Sequence, residues 1–313
     1  MKRRSLLCGL AGSGVGGLLS GCGEDPGPLL PMPLATGEAG GVYLPIGRAL
    51  ADSMQMRWRP GAQVTAGSVE NLERLRDHRS RIAFTTVDVA AQAMGGLGEF
   101  RTKVGVRALA GLYSDYVHVV TRHSLPSDLN GLAGRRVSTG APGSGTEVVA
   151  ARLMAAAGIT VRGFERHRLG LRESVRALCA GIIDAFFFSG GLPTPAIFRL
   201  ITSDSGAQLL DVSGYVDPLQ SQYGEVYSSG FITNSVYGYP SKNSVCIPNV
   251  LVVSPSMDDE TAYELTRLLF AAKYKLGRAH AEGNQLDPHS ALATYPVPLH
   301  PGAEQFFREQ KDA

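Results

Sequence analysis

The chain reads as an α/β protein of two lobes, with a cleft between them and two strands crossing from one lobe to the other. Three observations predict this. Strand-length apolar runs alternate with helix-length amphipathic runs in 34–95 and again in 136–201, the order that builds a parallel sheet with helices on both faces. Two further apolar strands, within 107–122 and 244–253, stand outside that alternation and supply the crossings. Three strand-to-helix turns, at 37–41, 140–145 and 189–191, are bare of bulky side chains. A length of 313 residues with 44% hydrophobic content is enough for two cores.

The N-terminus is a separate matter. Lys2, Arg3 and Arg4 precede a modestly apolar stretch from Leu6 to Leu19, and Leu19-Ser-Gly-Cys22 has the form of a bacterial lipobox. Residues 1–21 therefore read as an export signal and Cys22 as the lipidated residue. Arg3-Arg4-Ser-Leu-Leu also resembles a twin-arginine signal. The stretch is too short and glycine-rich for a good membrane span. Residues 22–33, rich in Gly and Pro, read as a tether. A diacyl anchor at Cys22 would hold a soluble domain against a membrane without inserting it.

The formal charge is +2, and the leader supplies three positive charges and no acid, so the rest of the chain is near −1. That balance gives no support for nucleic-acid binding. Beyond Cys8 in the leader and Cys22, Cys179 and Cys246 remain, as a disulfide or as two buried thiols; no metal-ligand spacing is present.

In chain order, a strand ends at Leu34 and the turn Gly37 to Gly41 opens a helix over 42–54. Val64 to Ser68 reads as a strand entering a second helix, with Ser68 as its N-cap and Asn71 on the same opening turn. Residues 81–87 form a strand, after which Asp88 starts a helix. The run 107–122 leaves the first lobe. In the second lobe, strands are expected at 136–139, 164–169 and 183–189, and helices at 146–157, 172–181 and 195–201, the last with Pro195 in its first turn. A long helix over 258–281 carries one apolar stripe through Leu265, Leu268, Leu269, Ala272 and Leu276 and is expected to pack back on the first lobe. The lobes are thus placed at 34–115 with 245–313, and at 116–244.

A glycine-rich turn opening a helix leaves backbone N–H groups free to bind an anion. Gly140 and Gly145 have the spacing of a phosphate-binding loop, but Thr146 and Glu147 follow where lysine would stand, so a small carboxylate is the better guest than a polyphosphate. Ser144 lacks the surroundings of a hydrolase nucleophile. Candidate ligand contacts are Gly37, Gly41, Tyr43, Ser68 and Asn71 from one lobe, and Gly143, Ser144, Gly145, Thr146, Ser189, Gly190 and Gly191 from the other. Asp88, at a strand end, is a candidate partner for a ligand ammonium. Each also has a plain structural reading: Tyr43 as a half-buried helix aromatic, Ser68 and Asp88 as caps.

Several segments also carry a resemblance. Thr36-Gly-Glu-Ala-Gly-Gly-Val-Tyr43, Ser68-Val-Glu-Asn71, Ser138 to Thr146, Phe186 to Pro195, Ile247 to Val253 and Pro298-Leu-His-Pro-Gly302 together resemble the TAXI family of solute-binding proteins, which serve TRAP transporters. The resemblance covers nearly the whole chain after the leader. It implies a two-lobed type II periplasmic-binding-protein fold, no catalysis and no cofactor. It also implies delivery of a small anionic or zwitterionic ligand, glutamate among the known kinds, to a TRAP-type permease. Val42 and Leu44 depart from the aromatics that family members often place there, and the lipobox departs from their freely soluble form. Two other functions share the fold: an enzyme, for which the sequence offers no paired nucleophile and base, and a ligand-responsive sensor docking on a signalling partner.

Overall fold

The computed structural model describes residues 29–122, 128–203 and 205–311. The leader, Cys22 and the tether as far as residue 28 lie outside the described residues.

Two parallel βα units flank a central antiparallel pair. The first unit holds β1 (Pro31–Ala35), α1 (Tyr43–Met54), β2 (Arg59–Gln63), α2 (Ser68–Arg76), β3 (Ile82–Thr86) and α3 (Val87–Gly95). The long strand β4 (Arg107–Arg122) follows. The second unit holds β5 (Arg136–Ser138), α4 (Gly145–Ala156), β6 (Glu165–His167), α5 (Leu171–Cys179), β7 (Ala185–Gly190) and α6 (Pro195–Ile201). Then come β8 (Ala207–Leu209), α7 (Val216–Tyr223), β9 (Ser228–Ile232), the single turn α8 (Asn234–Tyr237) and the second long strand, β10 (Lys242–Val253). Helices α9 (Asp259–Ala271), α10 (Lys273–Ala279) and α11 (Pro301–Lys311) close the chain.

The strand order is β2-β1-β3-β10-β4-β7-β5-β6, with β8 paired to β4 and β9 to β10. Both long strands serve both halves. Asn249–Val253 of β10 pairs with β3, while Lys242–Cys246 pairs with β9. Tyr116–Thr121 of β4 pairs with β7, while its earlier residues pair with β10. The result is the type II periplasmic-binding-protein fold expected from the sequence.

Strand β1 begins at Pro31, inside the stretch read as tether. Its prolines are tolerated because the missing N–H groups of Pro31 and Pro33 face the side of β3, which pairs only from Leu34 onward. The strand expected at 64–68 lies earlier, at Arg59–Gln63, because Gly67, with φ +130°, turns the chain sharply into α2. The helix expected over 258–281 is two, parted at Ala272, where neither Gly nor Pro signals a break. Its stripe still packs on the first half, Leu265, Leu269 and Leu276 joining Leu34, Leu50 and Phe84 in one core. A second core gathers Phe186, Phe188, Ile197 and Leu209. A third runs along the long strands through both halves, from Ala83 and Val106 to Val149, Leu153 and Phe187. Cys179 and Cys246 are free thiols, the first exposed and the second buried.

Candidate functional site

A cavity of about 50 Å³ lies where the two halves meet. From the first half come Gly37, Glu38 and Gly41, then Val42 and Tyr43 at the start of α1, then Ala66, Gly67 and Ser68 at the start of α2. Ser144, Gly145, Thr146, Phe188, Ser189 and Gly190 face them. Tyr113 and Asp115 of β4 complete the lining. The three bare turns therefore converge on one space. The reason is topological, since each follows the carboxyl end of a parallel strand, and those ends share one edge of their sheet. At this volume the cavity has room for roughly three to five water-sized groups.

Helices α1, α2 and α4 all begin at the cavity, with Tyr43, Ser68 and Gly145 as first helical residues. The first N–H groups of a helix have no partner within it, so these starts offer donors and positive dipole ends to a ligand. The α4 turn is firmly set. Ser144 Oγ accepts from the N–H of Glu147 at 3.1 Å, and Glu147 Oε2 accepts from the N–H of Gly143 at 3.0 Å. Arg166 and Arg168 hold the same carboxylate. Gly140 and Gly143 have φ of +99° and +81°, a region other residues rarely adopt.

Asp115 and Glu38 are the acids of the cavity, and Asp115 is the deeper of the two in the hydrogen-bond network. It is 5% exposed, its Oδ1 accepting from Asn249 Nδ2 at 2.8 Å and its Oδ2 from Ser189 Oγ at 3.0 Å. Tyr43 donates its hydroxyl to Asn249 Oδ1, tying the start of α1 to the same network. Burial pushes the Asp115 carboxyl up to about 7, and burial likewise raises Glu38 to about 7. Among the described residues, no Lys, Arg or His lines the cavity.

The halves are shut on one another. The N–H of Glu70 donates to Gly143 O at 3.0 Å, and the N–H of Leu171 donates to Glu38 Oε2 at 2.8 Å. Arg152 of α4 donates to Asp88 Oδ2 of α3 at 2.8 Å, and the Tyr227 hydroxyl donates to the same oxygen at 2.8 Å.

Of the residues singled out in the sequence, Gly37, Gly41, Tyr43, Ser68, Ser144, Gly145, Thr146, Ser189 and Gly190 line the cavity. Four do not. The Asn71 amide donates to Thr36 O and Phe84 O and accepts from Thr65, locking the first half together. Asp88 is held by Arg152 and Tyr227 and does not line the cavity. Gly143 meets α2 through Glu70 instead of the cavity. Gly191 abuts Glu282, whose carboxylate accepts from the N–H of Leu192. Nor does Ser68 cap α2: Gly67 holds that position, and Ser68 Oγ accepts from the N–H of Thr86 at 3.2 Å.

Asp115, Glu38, Gly67 and Phe188 are lining residues that sequence reasoning passed over. A signal for Asp115 existed: it is the one charge inside the apolar run 108–120, and Asn249 interrupts the other long strand in the same way.

Among solved structures, similar folds include a protein from Bordetella bronchiseptica RB50, at TM-score 0.53 and 19% identity over 87% of this chain and 83% of that one. A binding-protein component of an ABC phosphonate transporter from Pseudomonas aeruginosa matches at TM-score 0.53 and 10% identity, over 81% and 79% of the two chains. A Xanthomonas citri protein bound to ATP matches at TM-score 0.51 and 15% identity, over 89% and 98%. At these identities the likeness is one of fold. The sequence itself matches the NMT1-like family over residues 34–310, and the chain belongs to that family.

Proposed function

We propose that this protein is an exported receptor that captures a small carboxylate or amino acid in the cleft between its lobes and hands it to a membrane permease, without catalysis. The observation that carries this reading is the convergence of three separate helix starts and the crossing strand β4 on one space between the halves. Such a space grips a small ligand by backbone donors, and two strands shared by both halves are suited to act as a hinge. Family membership agrees with a solute-binding role, as does the description of the Pseudomonas aeruginosa neighbour. The resemblance to TAXI proteins makes a TRAP-type permease the partner. The lipobox at Leu19-Ser-Gly-Cys22 makes a diacylated Cys22, on the periplasmic face of a bacterial membrane, the proposed anchor.

Binding to the native conformation raises stability with the ratio of free ligand to Kd, by about 2.7 kcal/mol at one hundred times Kd. Thermal unfolding of the full chain across a panel of carboxylates and amino acids should therefore show a concentration-dependent rise for some of them. A flat response across the panel at millimolar concentrations would remove the receptor reading. The anchor is tested separately: Cys22→Ser should move the protein from the membrane fraction to the soluble periplasmic fraction.

A further inference from the structure

Resting on that receptor reading, the geometry points to a narrower ligand: we infer that the bound molecule carries a primary ammonium group, seated on Asp115, and is a zwitterion and not a simple carboxylate.

Asp115 lines the cavity and is almost fully buried. An ionised carboxylate has about four acceptor sites, and the Asn249 amide and the Ser189 hydroxyl occupy one on each oxygen. Acceptor capacity for a further donor remains. Both present donors are neutral, and among the described residues no Lys, Arg or His forms an ion pair with Asp115. A buried carboxylate without a counter-charge is costly, so Asp115 either holds its proton or takes a cation. Among the described residues no base lines the cavity, so a cation that meets the ionised form comes with the ligand.

The rest of the lining agrees. Glu38 is a second acid, so a ligand bearing only negative charge would meet two carboxylates and no base. Tyr43, Tyr113 and Phe188 supply aromatic surface, which suits an ammonium better than an anion. The starts of α1, α2 and α4 supply donors for the ligand's carboxylate. Opposite needs are thus met at different walls of one space. Asp115 and Asn249 also belong to the two strands shared by both halves, so an ammonium held there sits at the hinge itself.

The test is titration calorimetry of the full chain with matched pairs that differ only in amine against hydroxyl: glycine and glycolate, L-alanine and L-lactate, L-glutamate and L-2-hydroxyglutarate. In at least one pair the amino acid should bind roughly 30-fold or more tightly than its hydroxy partner, the scale of losing one member of a buried charge pair. Asp115→Asn should weaken that amino acid by a similar factor and leave the hydroxy acid unchanged or tighter. Hydroxy acids binding as well as amino acids would overturn this inference and leave the receptor reading standing. No binding by any of the six would overturn both. The comparison on the unsubstituted chain decides the matter even if Asp115→Asn fails to fold.

Discussion

Glu38, on the first glycine turn, accepts a hydrogen bond at 2.8 Å from the backbone N–H of Leu171, the first residue of α5 in the opposite half. A carboxylate at a helix start is favoured by the unpaired N–H groups and the dipole there. The contact exists only while the halves are closed, so it acts as a clasp. Glu38→Ala should weaken closure by about 1 kcal/mol, the worth of one partly solvated hydrogen bond. Ligand affinity at pH 8, where Glu38 is ionised, should fall about fivefold. Small-angle scattering of the ligand-free variant should show a larger radius of gyration than the parent; an unchanged radius and affinity would show that the contact contributes nothing to closure.

Acidity at the same place makes stability depend on pH. The folded chain keeps the Glu38 and Asp115 protons to about pH 7, while the unfolded chain releases them near 4.5 and 3.8. Between those limits the folded state binds more protons, so unfolding free energy falls as pH rises, by at most about 1.4 kcal/mol per pH unit for each group. Above about pH 7 both are ionised in either state and the slope from these groups ends. Around Asp115 stand Tyr43, Tyr113, Ser189 and Asn249, with Glu282 and Asp88 adding negative charge from further off; Glu173 does the same for Glu38. Urea midpoints of the ligand-free protein should drop from pH 5 to pH 7, and Glu38→Gln or Asp115→Asn should each flatten the drop. An amino acid bound through its ammonium needs Asp115 ionised, so its affinity should rise over the same interval.

Which parts of this were open to sequence reading follows from the range of the interactions. The bare turns and the helices after them are local features, set by glycine, capping residues and apolar period, and they were legible. So was the doubling of the βα pattern that places those turns on one cleft. The partnerships were not. Asp88 looks free in the sequence because its partners, Arg152 and Tyr227, lie 64 and 139 residues away. Asp115 meets Asn249 at a separation of 134 residues, and only the antiparallel register of β4 and β10 brings them together. Gly191 resembles the other turns in composition, yet Glu282 from the C-terminal region covers it. The stretch 207–240 is polar and glycine-interrupted, without the period that exposed the earlier elements.

The Asp88–Arg152 pair should matter to stability more than any surface ion pair. Their side chains are 1% and 7% exposed, and Tyr227 donates to the same carboxylate. Removing one partner strands a buried charge, so Asp88→Asn or Arg152→Met should each cost about 3 to 5 kcal/mol of unfolding free energy. Tyr227→Phe should cost about 1 kcal/mol. In the double variant Asp88→Asn with Arg152→Met, no charge is left stranded, and much of the loss should return. Equilibrium urea unfolding of the four variants measures all of this; strictly additive losses in the double variant would show that the two groups do not act as a pair.

Closure can also be blocked without touching any charged group. Gly145 is the first residue of α4, and a Cβ placed on it would lie 2.9 Å from Ser68 Oγ and 3.3 Å from Ser68 Cβ, on the other side of the cleft. Its φ lies outside the left-handed region, so alanine fits the backbone without strain. The methyl group therefore acts as a wedge between the halves, while each half folds as before. Alanine in place of glycine in a helix is itself favourable by about 1 kcal/mol or less. Gly145→Ala should accordingly leave the ligand-free Tm unchanged or slightly higher, abolish most of the ligand-induced rise in Tm, and lower affinity at least tenfold. Gly67→Ala makes a useful contrast, because φ +130° at that residue strains any side chain and should lower Tm with or without ligand. If Gly145→Ala bound ligand like the parent, the cleft would have room to spare, and the closed contact between α2 and α4 would not be the state in which ligand is held.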